Sequence, residues 1–396
     1  MTSFADGKIE AYVGPTDLGG PDDLEAAIVS FIAGARHSLD IAVQELDSEV
    51  IAQAILDARW RDVDVTMVME QDYLREEKLP RSKPKPEPGE SAEEALRRWQ
   101  WTPTPTTRGL SRNRRVLTAL LQSGVDVKAD FNKAIFHQKF VLRDYRPDSR
   151  GGVGAAAALL SGSANFTDTD CHANLNHVFV FHDRRICGEY RREFDEIARG
   201  EFGRRQHGEV PRAYNLGGVP VKVLFAPDHT PELELIKQIL KAEKEIGFAI
   251  FTFAGSSGID DALLMAARAD CKVEGALDPG QAAQTWAAPH GRPGAAPSWL
   301  NRKNISLFTP KRVEGFGKLH HKLMAIDRNT VIAGSFNYTA PANEYNDENL
   351  FVIGSPYKEL PKSEGGPVDP AACRAIADHM RDEIERIVSV SERWKP

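Results

Sequence analysis

The sequence predicts an α/β fold built twice, as two similar units of mixed sheet flanked by helices. Three observations carry that prediction. Strand and helix patterns alternate along the chain, the same order of elements returns in the second half, and one short motif recurs at corresponding places in both halves. The length of 396 residues also suits two units of roughly 150–200 residues better than one.

Residues 8–15 alternate apolar and polar side chains as a strand does and end in Gly14-Pro15. Residues 21–35 predict a helix with Asp22 and Asp23 in its first turn, where the helix dipole favours negative charge. The apolar run 39–43, a helix pattern over 48–59 and a strand over 63–69 complete the first set. The second half repeats that order. It has a strand over 221–227, a helix over 231–244, an apolar run over 248–251, a helix over 260–268 and a strand over 272–277. A last helix is predicted over 370–390. Pairing the copies puts the join near 203–218 and divides the chain into units 1–210 and 211–396.

Composition bounds the function. The apolar fraction of 41% excludes wholesale disorder. With 50 Lys+Arg against 57 Asp+Glu, the net charge of −7 weighs against coating nucleic acid by bulk charge, though not against a local basic groove. Cys171, Cys187, Cys271 and Cys373 form no CxxC pair, so free buried thiols are expected and no zinc cage is read. No signal peptide and no transmembrane run of ~18 apolar residues is visible, and a cytoplasmic setting is the expectation.

The recurring motif carries the chemistry. His137-Gln138-Lys139 leads, after four residues, to Asp144; His320-His321-Lys322 leads likewise to Asp327, and each His, Lys and Asp recurs 183 positions on. Gly162-Ser163-Ala164-Asn165 follows the first copy and Gly334-Ser335-Phe336-Asn337 the second, each trailed by an aromatic residue and a threonine. In an extended strand, residues two apart share a face, so each copy presents an imidazole beside an ammonium. The Ser and Asn of the downstream segment add neutral donors. Two such sets brought together suit an oxyanion such as a phosphate diester and its transition state. His321 points to the opposite face and is read as structural.

These paired motifs resemble those of the phospholipase D superfamily, marked by two HxKxxxxD motifs, each followed by GSxN. The resemblance runs from the first strand to about Ile353. It implies two α/β units packed with pseudo-twofold symmetry around one active site at their interface. It also implies a phosphohistidine mechanism, with His137 as nucleophile and His320 as acid and base. Lys139, Lys322, Asn165, Asn337, Ser163 and Ser335 would hold the phosphate oxygens, and Glu348 and Asn176 would stand behind them. Asp144 and Asp327 are read as structural groups or as standing behind the site, not as catalytic ones. With two lysines neutralising charge, no metal and no cofactor is called for. Both motifs lie on one chain, so a monomer suffices to complete the site.

The chain departs from the family pattern at Asn176, which aligns with Glu348. A carboxylate favours the protonated form of the imidazole it contacts more than an amide does, so the difference either separates the roles, with the carboxylate-paired histidine protonated and the other neutral and nucleophilic, or weakens activity. The first half also carries insertions of about 25 and 11 residues, the larger within 75–115. That segment is proline-rich, holds 11 Lys+Arg against 6 Asp+Glu, and carries Trp99 and Trp101 as candidate substrate contacts. Basic side chains interleaved with tryptophan suit a nucleic-acid strand. The sequence-level preference is therefore a nuclease hydrolysing DNA or RNA. A phospholipase D or phosphatidyltransferase acting on phospholipid headgroups is the alternative, and a weakly catalytic nucleic-acid-binding module the third reading.

Overall fold

The computed structural model describes residues 1–74, 86, 90–91, 94, 105–145, 157–203, 210–282, 300, 303–360 and 365–395. Two mixed sheets form the frame. The first holds β1 (Thr2–Phe4), β2 (Ile9–Gly14), β3 (Ser38–Val43), β4 (Asp64–Met69), β5 (Asp126–Ala129), β6 (Lys139–Arg143), β7 (Ala158–Gly162) and β8 (Asn176–Phe181). The second holds β9 (Ala213–Leu216), β10 (Val219–Ala226), β11 (Glu245–Ile250), β12 (Lys272–Leu277), β13 (Ile305–Pro310), β14 (Lys322–Ile326), β15 (Thr330–Gly334), β16 (Glu348–Gly354) and β17 (Ser391–Arg393). The described helices are α1 (Leu24–Ala33), α2 (Glu49–Trp60), α3 (Pro105–Gln122), α4 (Asp168–His172), α5 (Arg184–Ala198), α6 (Pro231–Ile239), α7 (Ile259–Arg268), α8 (Pro279–Ala282), α9 (Ala340–Glu344) and α10 (Pro370–Ser389).

Seven strands match between the sheets. The order β2-β8-β7-β6-β3-β4-β5 in the first corresponds to β10-β16-β15-β14-β11-β12-β13 in the second. In each, the last three strands run parallel and the rest pair antiparallel. The parallel strands are fed by helices capped at their starts, Asp23 accepting from Ala26 N and Ser48 from Ile51 N. The duplicated α/β architecture expected from the repeat is thus present. The fold is layered accordingly. One apolar core under α1 and α2 and another under α6 and α7 cover the outer faces. A third, rich in phenylalanine, lies between the two sheets with α5 and α10 (Phe140, Phe179, Phe181, Tyr190, Phe351, Met380). Burial of both sheet faces explains why the central strands read as unbroken apolar runs.

Expected and observed elements differ where tertiary contacts intervene. The helix expected over 231–244 ends at Ile239, because the amides of Glu243, Lys244 and Glu245 donate to the Asp327 carboxylate (2.7, 2.8 and 2.9 Å) and are lost to helical bonding. The short strands β1, β5, β9, β13 and β17 and helices α3, α4, α5, α8 and α9 were not among the expected elements. All four cysteines are free and buried. No described helix is long and apolar enough to cross a membrane.

Candidate active site

Each motif histidine ends the chain segment that enters β6 or β14, at the edge where the two units meet. His137 N donates to Asp347 O (3.0 Å) and His320 N to Leu175 O (2.9 Å), so each is pinned by backbone from the other half. The side chains cross in the same way. His137 Nδ1 lies 2.6 Å from Glu348 Oε2, and His320 Nδ1 lies 3.1 Å from Asn176 Oδ1. Both rings are buried. A hydrogen bond at Nδ1 leaves Nε2 as the nitrogen each ring has for chemistry.

Lys139 Nζ donates to His137 O (2.8 Å) and Gln44 Oε1 (3.1 Å). Lys322 Nζ donates to His320 O (2.7 Å) and lies 5.3 Å from the centre of the Phe251 ring, which also packs edge-on against His320. Asn337 Oδ1 accepts from Thr252 N (3.3 Å), so its NH2 faces away from Thr252. Asn165 is buried, its backbone N donating to Asp170 Oδ2 (2.6 Å). Burial pushes the His137 imidazole down to about 4 despite the neighbouring Glu348 carboxylate, and pushes Lys139 down to about 8. Burial, then the charges of Lys322, Lys139 and His137, hold His320 well below its usual value. Burial and the Lys139 charge do the same to Lys322. Four basic groups thus share one water-poor space, which stores a strong attraction for an anion. Among the described residues, no three His, Cys, Asp or Glu side chains gather as a metal cage.

Several expected placements need correction. Of the two roles expected for Asp144 and Asp327, they take the structural one and do not stand behind the histidines. They sit at the far ends of β6 and β14, in left-handed backbone (φ 54° and 49°). Asp144 Oδ1 accepts from Arg36, His37 and Ser38 N (3.0, 2.7 and 3.1 Å), tying the strand to the turn before β3. Asp327 does the same before β11. The spacing from Lys to Asp is the length of a strand, which is why the acid ends remote from the chemistry. Ser163 and Ser335 are also displaced from the phosphate-holding role. Ser163 Oγ donates to Asn176 Oδ1 (2.8 Å) and Ser335 Oγ to Glu348 Oε2 (2.6 Å), so each spends its single proton on the group behind a histidine. The glycines before them are required by close approach. A Cβ on Gly162 would meet His177 O at 2.2 Å, and one on Gly334 would meet Asn349 O at 2.4 Å. The threonines after the motif cap α4 and α9. Trp99 and Trp101 lie outside the described residues.

Asn176 does not leave His320 without a carboxylate. Asp170 Oδ2 lies 3.5 Å from His320 Nδ1, and Asp170 O accepts from Asn176 Nδ2 (3.0 Å). Asp170 occupies the position where the second copy has Ala342. The acid has moved from the strand to the preceding helix, a swap that comparison of the two copies displays. Gln44, Phe251 and Lys318 were also missed. Lys318 Nζ lies 5.4 Å from the Phe251 ring centre on the exposed side, two residues before His320.

Two α/β units thus meet over paired imidazoles and paired ammonium groups. The family model described as cardiolipin synthase, PLD-like domain, matches residues 28–198 and 235–363. The chain belongs to that family and to the phospholipase D superfamily. Among curated proteins it is 28% identical over 136 residues to the mitochondrial cardiolipin hydrolase of Xenopus laevis, spanning 34% of this chain and 59% of that one. It is 30% identical over 138 residues to the phospholipase D of Rickettsia felis, spanning 34% and 60%. The chain therefore spans about three fifths of these relatives' length. The phosphatidylserine synthase of Haemophilus influenzae shares the fold over 100% of this chain and 89% of its own, with a TM-score of 0.62 and 10% identity.

Proposed function

We propose that the chain cleaves a phosphodiester through a phosphohistidine intermediate, with a phospholipid headgroup linkage as its substrate. One observation carries the mechanism. Each imidazole is held at Nδ1 by a group from the other unit, Glu348 for His137 and Asn176 with Asp170 for His320. In this reading the units 1–210 and 211–396 each supply one His, one Lys and one Asn, and a single chain suffices.

His137 is neutral near pH 7 and donates Nδ1–H to Glu348, leaving the Nε2 lone pair free. Nε2 attacks phosphorus, an N–P bond forms, and the bond to the leaving oxygen breaks. Glu348 stabilises the positive ring so created. Entry of the anion draws a proton onto His320 Nε2, which passes to the leaving alcohol. His320 then takes a proton from water as that water attacks phosphorus and the N–P bond breaks. The Asn176 amide and the Asp170 carboxylate at Nδ1 support the His320 imidazolium until it donates. Lys139 and Lys322 neutralise the phosphoryl oxygens, and Asn165 and Asn337 donate hydrogen bonds to them.

The relatives, a cardiolipin hydrolase and a phospholipase D, support lipid as the first substrate. Nucleic acid remains the second reading because residues 75–115 carry a local charge of +5 with Trp99 and Trp101. One panel tests both, comparing cardiolipin and phosphatidylcholine vesicles, single- and double-stranded DNA, and RNA, each with an acid quench of labelled substrate. Lipid cleavage with label on a histidine is expected. Cleavage of nucleic acid alone would overturn the lipid assignment. Turnover with label on neither histidine would overturn the covalent route.

A further inference from the structure

Behind the site, on the opposite face of the same segments, a second set of contacts joins the two units. The residue after each motif histidine reaches across to the residue after the group that holds that histidine. Gln138 Oε1 accepts from Asn349 Nδ2 (2.7 Å), and His321 Nδ1 lies 3.0 Å from His177 Nδ1. The two imidazoles are parallel within 5°, and none of the four residues is exposed. Each link is anchored by a helix glutamate. Gln138 Nε2 donates to Glu193 Oε1 (3.0 Å), and His321 Nε2 lies 3.2 Å from Glu383 Oε1. The two links are counterparts in the repeat, one made of amides and the other of imidazoles.

The proton positions in the imidazole link follow from its neighbours. Gly334 N donates to His177 Nε2 (3.3 Å), so that nitrogen is an acceptor and the ring carries its proton on Nδ1. His177 Nδ1–H then donates to His321 Nδ1, and His321 donates from Nε2 to Glu383. Glu383 is charged and takes two bonds from Arg386 (both 2.8 Å). The charges facing the pair are Lys322 from β14 and Glu383 and Arg386 from α10. One proton sits between the rings, and a second would set two N–H groups head to head beside the Lys322 ammonium. Burial holds both imidazoles below their usual value, in keeping with a neutral pair.

We propose that Gln138–Asn349 and His177–His321 are positioning clamps that hold His137 against Glu348 and His320 against Asn176, and that the imidazole clamp makes the alignment of His320 fail in acid. The inference rests on the phosphodiesterase reading. Because 320–321 and 176–177 are neighbours in the chain, the 3.0 Å link on one face fixes the spacing that the 3.1 Å His320–Asn176 bond spans on the other. The first copy performs the same task with groups that do not titrate.

The test exchanges the clamp. Turnover of bis(p-nitrophenyl) phosphate is measured from pH 4.5 to 8 for the wild type, for His321→Ala, and for the double variant His177→Asn with His321→Gln, which copies the amide clamp. His321→Ala is expected to lower kcat about tenfold to a hundredfold with little change in KM, by analogy with groups that orient a metal-bound imidazole. The double variant should recover to within about threefold and keep its activity to lower pH than the wild type. Wild-type kcat in His321→Ala, or an unmoved acid limb in a folded, active double variant, would overturn the proposal. Imidazole nitrogen NMR on the resting wild type gives a second readout, independent of folding of the variants and of turnover. It should show His177 protonated at Nδ1 and His321 at Nε2 at pH 7. The reverse tautomers, or two protonated rings, would overturn the clamp. A wild type that turns over no phosphodiester while its NMR matches would instead sink the proposed function.

Discussion

Replacing Glu348 by glutamine isolates the charge behind the attacking ring. The carboxylate is fully buried, lies 2.6 Å from His137 Nδ1, and takes a further 2.6 Å bond from Ser335. The amide keeps the shape and one acceptor but not the charge that stabilises the phosphorylated ring. A charge-assisted hydrogen bond of this kind contributes about 2 kcal/mol, which converts to a loss of roughly thirtyfold in kcat. Asn346 Nδ2 donates to the other oxygen (3.3 Å), so the new NH2 meets a donor at a stability cost of about 1 kcal/mol. The loss does not come from a changed protonation state. Glu348 raises the His137 value, so its removal lowers a value already near 4, and the ring is neutral at pH 7 in both proteins. The assay is steady-state and burst kinetics on bis(p-nitrophenyl) phosphate, with urea melts to confirm folding. A folded Glu348→Gln variant with kcat within twofold of wild type would refute a role for that carboxylate in the reaction.

Four further outcomes follow from the same geometry. His137→Ala should abolish turnover and Lys322→Ala should cut it by roughly 10²–10³, both read as kcat at pH 7; near-normal rates would place the chemistry elsewhere. Asp144→Ala removes a carboxylate that takes three backbone amides and should destabilise the fold by about 2 kcal/mol in urea melts while sparing kcat. A kcat loss matching that of Lys139→Ala would return Asp144 to the site. Lys139 is charged below about pH 8 and neutral above it, so kcat/KM should fall as pH rises through that value; activity unchanged to pH 10 would contradict it. Turnover should persist in excess EDTA, and complete loss that a divalent ion restores would defeat the mechanism.

Much of the site was legible because the repeat prints it twice. His137 with Lys139 and His320 with Lys322 are local pairs, set by the two-residue period of an extended chain. The roles of Ser163, Ser335, Asp144 and Asp327 were less so. Their place in the motif is local, but what they bond to lies outside it, 13 residues on for the serines (Asn176 and Glu348) and 108 and 84 residues back for the aspartates (Arg36 and Glu243). The preference for a nucleic-acid substrate rested on 75–115, a segment largely outside the described residues, and the relatives' names support lipid instead.

The sequence by itself determined the duplicated α/β plan, the superfamily and the four basic side chains of the pocket. Each follows from periodicity or from a motif of adjacent residues. Tertiary structure decided which partner stands behind which histidine, the takeover of the acid's place by Asp170, and the clamps on the reverse face. All are contacts between residues more than a hundred positions apart, such as His137 with Glu348 and His177 with His321. Chain spacing carries no information about them, because they exist only once the two sheets have packed around the core they share.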